Sequence, residues 1–161
     1  MIEIAFTIKH SAYRIRPMIL ADLPEVKIVR DQCLSYIHDK VSYDLPATME
    51  WLKSTQSKYL SVIDELDTVI GYFRLTNISN DHCFVGMDLH KEYRGKQIAV
   101  NTYNAVMTEL KKYGICNFSL YVLSSNEHAI RLYNHIGFKE VTRTPWDVAD
   151  NVTTYNILMK I

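Results

Sequence analysis

The stretch Arg94 to Tyr113 constrains the fold most. Ala99, Tyr103, Val106 and Leu110 recur at spacings of four, three and four, and Gly114 follows. That period is helical, and a glycine just past the last turn is a common helix stop. On both sides the period falls to two. Cys83 to Leu89 precedes the helix, while Phe118, Leu120 and Val122 alternate with Ser119 and Tyr121 after it. Strand, long helix and strand in succession commit this part of the chain to an α/β arrangement.

The flanking segments extend the pattern. Ile2, Ile4, Phe6 and Ile8 alternate with Glu3, Ala5 and Thr7 as a strand does, and Tyr13 to Met18 reads as a second, ended by Pro17. Asp22 before Leu23-Pro24-Glu25 is a helix start, and Val26, Val29, Cys33 and Ile37 keep helical spacing. A second helix is expected from Thr48, with Trp51 and Leu52 near its middle. Tyr59 to Ile63 and Val69 to Thr76 form a hairpin across Asp64-Glu65-Leu66-Asp67, a turn without glycine. Later, Ser124, Ser125 and Asn126 compete as caps, Ser124 and Glu127 having capping-box spacing. Ala129, Leu132, Tyr133 and Ile136 then share one helical face closed by Gly137. Phe138 to Thr144 and Val152 to Met159 supply two last strands. The expected fold is one α/β (α+β) domain over residues 1–161. Its central sheet is mixed, mostly antiparallel and twisted, with about seven strands and about four flanking helices; residues 1–12 add an N-terminal strand.

Composition narrows the function. Eighteen Lys plus Arg balance eighteen Asp plus Glu, and apolar residues make up 48% of 161 positions. A strongly basic nucleic-acid binder is excluded, as is a polybasic membrane binder. Enough apolar residues are present to bury a core, so disorder is excluded too. Cys33, Cys83 and Cys116 cannot all pair, and none forms a CxxC motif, which suits buried reduced thiols. No apolar run reaches the ~18 to 20 residues of a membrane span, and the N-terminus lacks signal-peptide features. A cytoplasmic location is the expectation.

Two segments carry chemistry. In Met87-Asp88-Leu89-His90-Lys91-Glu92-Tyr93-Arg94-Gly95-Lys96-Gln97-Ile98-Ala99 a strand enters a short basic loop that opens the long helix. Lys91, Arg94 and Lys96 against Glu92 leave a net +2 over six residues. Unpaired N–H groups, the helix dipole and Gly95 would suit a pyrophosphate there. Simple solvation of the basic side chains is the competing reading. In the second segment Asn126 opens a short helix and Tyr133 lies two turns along the same face. Both could line one groove, or Asn126 could only cap and Tyr133 only pack.

In order and separation, the two segments resemble the GNAT superfamily of N-acetyltransferases. Arg94-Gly95-Lys96-Gln97-Ile98-Ala99 resembles its acetyl-CoA signature, and Asn126, Ala129, Tyr133, Gly137 and Phe138 resemble its Asn-x-x-Ala…Tyr…Gly-Phe motif. One departure stands out: the signature's internal glycine is Gln97 here. The resemblance implies that acetyl-CoA is the co-substrate and that no metal takes part. Met87 and Leu89 would bind acetyl and pantetheine groups through their backbone. Arg94, Gly95, Lys96, Gln97, Ile98 and Ala99 would hold the pyrophosphate, and Asn126 would reach the pantetheine arm. Tyr133 would protonate the departing thiolate, as a phenol with pKa ~10 can. Positions that carry the base in relatives hold Cys83, Val85 and Tyr121, so Asp88, His82, His90 and water all stay open for that role. Specificity would rest on Tyr36, His38, Asp39, Tyr43, Asp44, Trp51, Trp146 and Asp147, aromatics beside carboxylates that suit a cationic amine or sugar ring. The implied activity is acetyl transfer to a primary amine of a small molecule or amino-sugar. The alternatives are protein or peptide N-acetylation and a non-catalytic acyl-CoA-binding domain. No nucleic acid or membrane partner is implied, and a homodimer is allowed.

Overall fold

The computed structural model describes residues 2–149 and 151–161. Eight strands form one sheet: β1 (Ile4–Ile8), β2 (Ser11–Pro17), β3 (Lys58–Ile63), β4 (Val69–Thr76), β5 (His82–Leu89), β6 (Asn117–Leu123), β7 (Lys139–Ala149) and β8 (Val152–Lys160). Their spatial order is β1-β2-β3-β4-β5-β6-β8-β7. The count is one above the seven expected, and the N-terminal strand belongs to the same sheet, Ile4 pairing with Ile15. Every neighbouring pair is antiparallel except β5 and β6. Those two flank the long helix, so their parallel pairing follows from the crossover it makes.

The helices are α1 (Leu23–Asp31), α2 (Leu45–Ser54), α3 (Ile98–Lys111) and α4 (Glu127–Ile136). Helix α1 stops before Cys33 and Ile37, whose spacing had continued it. Helix α2 starts three residues before Thr48, because Asp44 Oδ1 accepts from Ala47 N at 2.8 Å and Pro46 fits the first turn. Asn126, not Ser124, caps α4, its Oδ1 accepting from Ala129 N at 3.2 Å. The β3–β4 turn manages without glycine because Asp67 adopts φ 66°. Asp64 Oδ1 also accepts from Leu66 N and Thr68 N, at 3.0 and 2.9 Å.

One sheet face packs on α3 and α4. Phe73, Phe118, Leu120, Ile98, Tyr103, Val106 and Phe138 are fully enclosed in that layer, each contributing roughly 1.5–3 kcal/mol if aliphatic or Phe. A smaller cluster of Val26, Val29, Ile63, Val69 and Tyr72 seats α1 on the opposite face. Asp22 fixes the entry to α1. It is buried and accepts from Arg16 at 2.7 and 2.8 Å, Ser61 Oγ at 2.6 Å and Ile19 N at 3.0 Å. Helix α2 buries no residue fully and touches the body through Trp51 against Tyr59, ring centroids 4.6 Å apart. No helix among the described residues is long and apolar enough to cross a membrane.

The feature that positions the site is a parting of the sheet. Strands β5 and β6 stay in register only from His82–Phe84 against Asn117–Ser119. Beyond that, β5 continues with β4 as far as Leu89, while β6 continues with β8 as far as Leu123. Each strand keeps its outer partner and loses its inner one, so the sheet opens between them.

Candidate active site

A cavity of about 1470 Å³ occupies this opening and reaches the face under α1 and α2. Met87 and Leu89 of β5, Tyr121 and Val122 of β6, and the start of α3 contribute to its wall. Helix α3 has neither a side-chain cap nor an acidic residue in its first turn, whereas Asp44 and Asn126 cap α2 and α4. Its leading N–H groups are therefore left for an external acceptor, and the helix dipole makes that acceptor an anion.

The loop before α3 is shaped by two left-handed residues, Gly95 at φ 73° and Gln97 at φ 64°. They explain why the helix starts at Ile98 rather than near Arg94. A Cβ on Gly95 would meet nothing within 4 Å, so this glycine serves conformation rather than clearance. Gln97 stands at the position of the signature's internal glycine. The backbone holds the glycine-like conformation there at a strain of about 1–2 kcal/mol, with the side chain exposed at the cavity wall.

The expected donor-binding residues divide into two groups. Met87, Leu89, Arg94, Gly95, Gln97, Ile98, Ala99 and Asn126 all line the cavity. Lys96 does not: its Nζ lies 5.3 Å from the Tyr93 ring centroid, beside a smaller hollow of about 260 Å³. Arg94 Nε donates to Leu89 O at 3.0 Å and its Nη2 to Cys33 Sγ at 3.2 Å, so Arg94 ties the end of β5 to the end of α1.

Tyr133 lies on the inner face of α4, buried at the cavity wall. Tyr103 Oη donates to Tyr133 Oη at 3.4 Å, which leaves the Tyr133 proton free for a cavity acceptor. Burial pushes the Tyr133 pKa above the ordinary phenol value, only partly countered by the hydrogen bond from Tyr103. The group is therefore a neutral acid at any ordinary pH.

Of the three candidate bases, Asp88 alone lines the cavity, buried, accepting from Tyr72 Oη. His82 sits at the start of β5 against Ser119 Oγ at 2.8 Å. His90 meets Gln32 Nε2 at 3.0 Å and accepts from Glu92 N at 3.3 Å. Neither histidine lines the cavity.

Among the expected specificity residues, Tyr36, His38, Asp39, Tyr43 and Trp51 line the wall, while Asp44, Trp146 and Asp147 do not. Asp39 is paired with Arg30 at 2.8 Å and Asp44 is the α2 cap. His38 Nε2 meets Asn156 Oδ1 at 2.8 Å, and its ring lies edge-on to Trp146. Sequence reasoning missed Cys33, Tyr59, Tyr72 and Arg74, all on the wall. Arg74 carried one signal, a charge inside the otherwise apolar run Val69-Ile70-Gly71-Tyr72-Phe73-Arg74-Leu75. Burial disfavours its charge most strongly, but Asp88 together with the surrounding tyrosines Tyr72, Tyr59 and Tyr103 outweighs this and holds the guanidinium above its ordinary pKa. Cys33 is pushed the other way for a nucleophile, up to about 11, by burial and by Asp88. No group of three or more His, Cys, Asp or Glu side chains among the described residues could hold a metal ion.

A parted mixed sheet, an uncapped helix start at the parting and a tyrosine from the next helix thus meet at one cavity. The model of the acetyltransferase (GNAT) family matches residues 25–138, more than half of the chain, so the protein belongs to that family and is an acetyltransferase. Solved structures share the fold. A GNAT-superfamily phosphinothricin acetyltransferase from Sinorhizobium meliloti, in complex with acetyl-CoA, superposes with a TM-score of 0.78 at 15% identity, over 91% of this chain and 86% of that one. A variant of the spermidine N-acetyltransferase SpeG from Vibrio cholerae gives 0.76 at 18%, over 92% of each. An N-acetyltransferase from Staphylococcus aureus Mu50 gives 0.78 at 15%, over 92% and 97%. No curated protein sequence matches the chain.

Proposed function

We propose that the protein transfers the acetyl group of acetyl-CoA directly to a primary amine of a small molecule, amino-sugars included. One observation carries this: the uncapped start of α3, the edge of β5 that parts from β6 and the Tyr133 hydroxyl share a single cavity. Acetyl-CoA supplies a thioester whose carbonyl carbon the amine attacks and whose C–S bond then breaks. The free N–H groups at Ile98 and beyond suit its pyrophosphate, and the β5 edge that β6 leaves unpaired, at Met87 and Leu89, suits its pantetheine amides. Tyr133 donates its proton to the leaving sulfur. Asp88, the one candidate base on the wall, takes the proton that the amine gives up. Burial and Asp88 push the Cys33 thiol up to about 11, which makes it a poor nucleophile at neutral pH and favours direct transfer over an acyl-enzyme.

The relatives with this fold include enzymes named for phosphinothricin and for spermidine, which supports a small-molecule acceptor. A purely acyl-CoA-binding role needs no phenol with its proton free at the cavity wall. The test is release of free thiol from acetyl-CoA in the presence of a panel of primary amines. Turnover with at least one small amine is expected; a panel that yields none, with peptides acetylated instead, would replace this reading with the peptide one.

A further inference from the structure

The cavity wall under α1 and α2 holds two charges of opposite sign on one sheet face. Tyr72 pairs with Asp88 across β4 and β5, and Arg74 pairs with Gly86. Side chains two residues apart share a face, so Arg74 and Asp88 are diagonal neighbours on it. Asp88 has a partner in Tyr72 Oη. Arg74 has none: among the described residues nothing accepts a hydrogen bond from its guanidinium and no carboxylate forms an ion pair with it. Yet the side chain is partly buried and faces the cavity.

Gly86 makes room for it. A Cβ at position 86 would lie 2.7 Å from Arg74 Nη2, so the guanidinium lies close over the bare backbone of β5. A glycine inside a strand weakens it, and close approach of another group is a common reason for one. A guanidinium has five N–H donors, and leaving them unmatched in a partly dry site is unfavourable. The aromatic wall beside it, Tyr59 and Tyr72, offers no anion. Besides Asp88, the carboxylates on the wall are already paired, Asp39 with Arg30 and Asp31 with Lys27.

We propose that Arg74 is the docking point for a carboxylate of the acceptor, and that the acceptor is an α-amino acid whose amine lies toward Asp88. The inference rests on the acetyltransfer reading above and narrows its substrate class. An α-amino acid carries its amine and carboxylate two bonds apart, which suits a guanidinium and a carboxylate adjacent on one face. Planar, two-pronged contact with a carboxylate is the geometry a guanidinium offers best. The step is balanced as before: the N–C bond forms, the C–S bond breaks, one amine proton passes to Asp88 and the Tyr133 proton passes to sulfur. Polyamines place further positive charge beside Arg74 and are disfavoured, and amino-sugars leave its donors unmatched.

The test compares thiol release for the proteinogenic L-amino acids, their α-amides, glucosamine and spermidine. At least one amino acid is expected to exceed its own amide by about 10- to 100-fold in kcat/KM, the range set by one charge-assisted hydrogen-bonded contact. This comparison needs no variant. In Arg74→Met that acid-to-amide ratio should fall to near one, and Arg74→Lys should restore part of it, with acetyl-CoA binding by calorimetry reporting that each variant is folded. Amides, glucosamine or spermidine turned over as well as the acids would overturn the proposal and leave acetyltransfer standing. A ratio unchanged in Arg74→Met would overturn the role of Arg74. Failure of every amine to release thiol would remove the acetyltransfer reading and this one with it.

Discussion

Replacing Gln97 by glycine should stabilise the protein, contrary to the usual effect of adding a glycine. Gln97 holds φ 64° and ψ 3° immediately before α3, and it forms no side-chain cap there. A side chain in that region strains the backbone by about 1–2 kcal/mol. Glycine removes the strain but gives the unfolded chain more freedom, a loss of roughly 0.5–1 kcal/mol. The net gain is about 0.5–1 kcal/mol. For a domain of this size it appears as an upward shift in Tm of roughly 1–4 °C. The Gln97 carbonyl, which accepts from Asn101 N and Asn101 Nδ2, is retained in the variant. Scanning calorimetry of Gln97→Gly beside Gln97→Ala separates causes, because alanine keeps the strain. Alanine should gain nothing. Equal stabilisation by both, or destabilisation by glycine, would refute the argument that Gln97 occupies a glycine position under strain. The same variant clears a side chain from the cavity wall, so its acetyl-CoA affinity should be equal to or higher than the parent's.

Tyr133→Phe should lower kcat by about 10²- to 10⁴-fold, the usual worth of a placed acid, while the Kd for acetyl-CoA stays nearly constant. Parental turnover in that variant would remove Tyr133 from the acid role. Because burial raises the Tyr133 pKa, any alkaline limb from this group should lie above the ordinary phenol value, and a falling limb near neutrality that Tyr133→Phe abolishes would contradict it. Asp22→Ala should cost roughly 3 kcal/mol, since Arg16 and Ser61 lose their shared carboxylate in a largely enclosed site. Burial pushes the Asp22 pKa up, but the hydrogen bonds from Arg16, Ile19 N and Ser61 outweigh it and hold the carboxyl below its usual value. That stabilisation is present above pH ~4 and lost as pH falls through the lower folded value. Urea unfolding of Asp22→Asn and parent at pH 6 and pH 2.5 should therefore show a gap that narrows in acid; a constant gap would exclude the linkage.

The elements with strong periodicity were legible in the sequence. Ala99, Tyr103, Val106 and Leu110 located α3 and the alternation around Phe118 located β6, while the apolar run from Val69 located β4, because those patterns record which faces are buried. Boundaries that depend on one backbone conformation were not. Gln97 carries no glycine signal for its left-handed φ, so the helix start was expected too early. Asp44 was read as a specificity residue when its side chain caps α2. The convergence of Gly95, Gln97, Ile98, Ala99, Asn126 and Tyr133 on one cavity was legible, since they lie in two continuous segments. The acceptor half was legible only in part: Asp88, Tyr36, His38, Asp39, Tyr43 and Trp51 were expected and line the wall, but Tyr59, Tyr72 and Arg74 reach it on strands that only sheet pairing brings to one face with Asp88. The parting of β5 from β6 is likewise a property of competing strand partners, which no local pattern encodes.

The central claim is that this parting, with the start of α3, holds acetyl-CoA. Titration calorimetry of the purified chain with acetyl-CoA tests it without any assumption about the acceptor. One molecule per chain is expected to bind with a Kd on the order of 1–100 μM, about −8 to −5.5 kcal/mol. No detectable heat with acetyl-CoA at about 1 mM, where even −4 kcal/mol of affinity would register, would contradict the account.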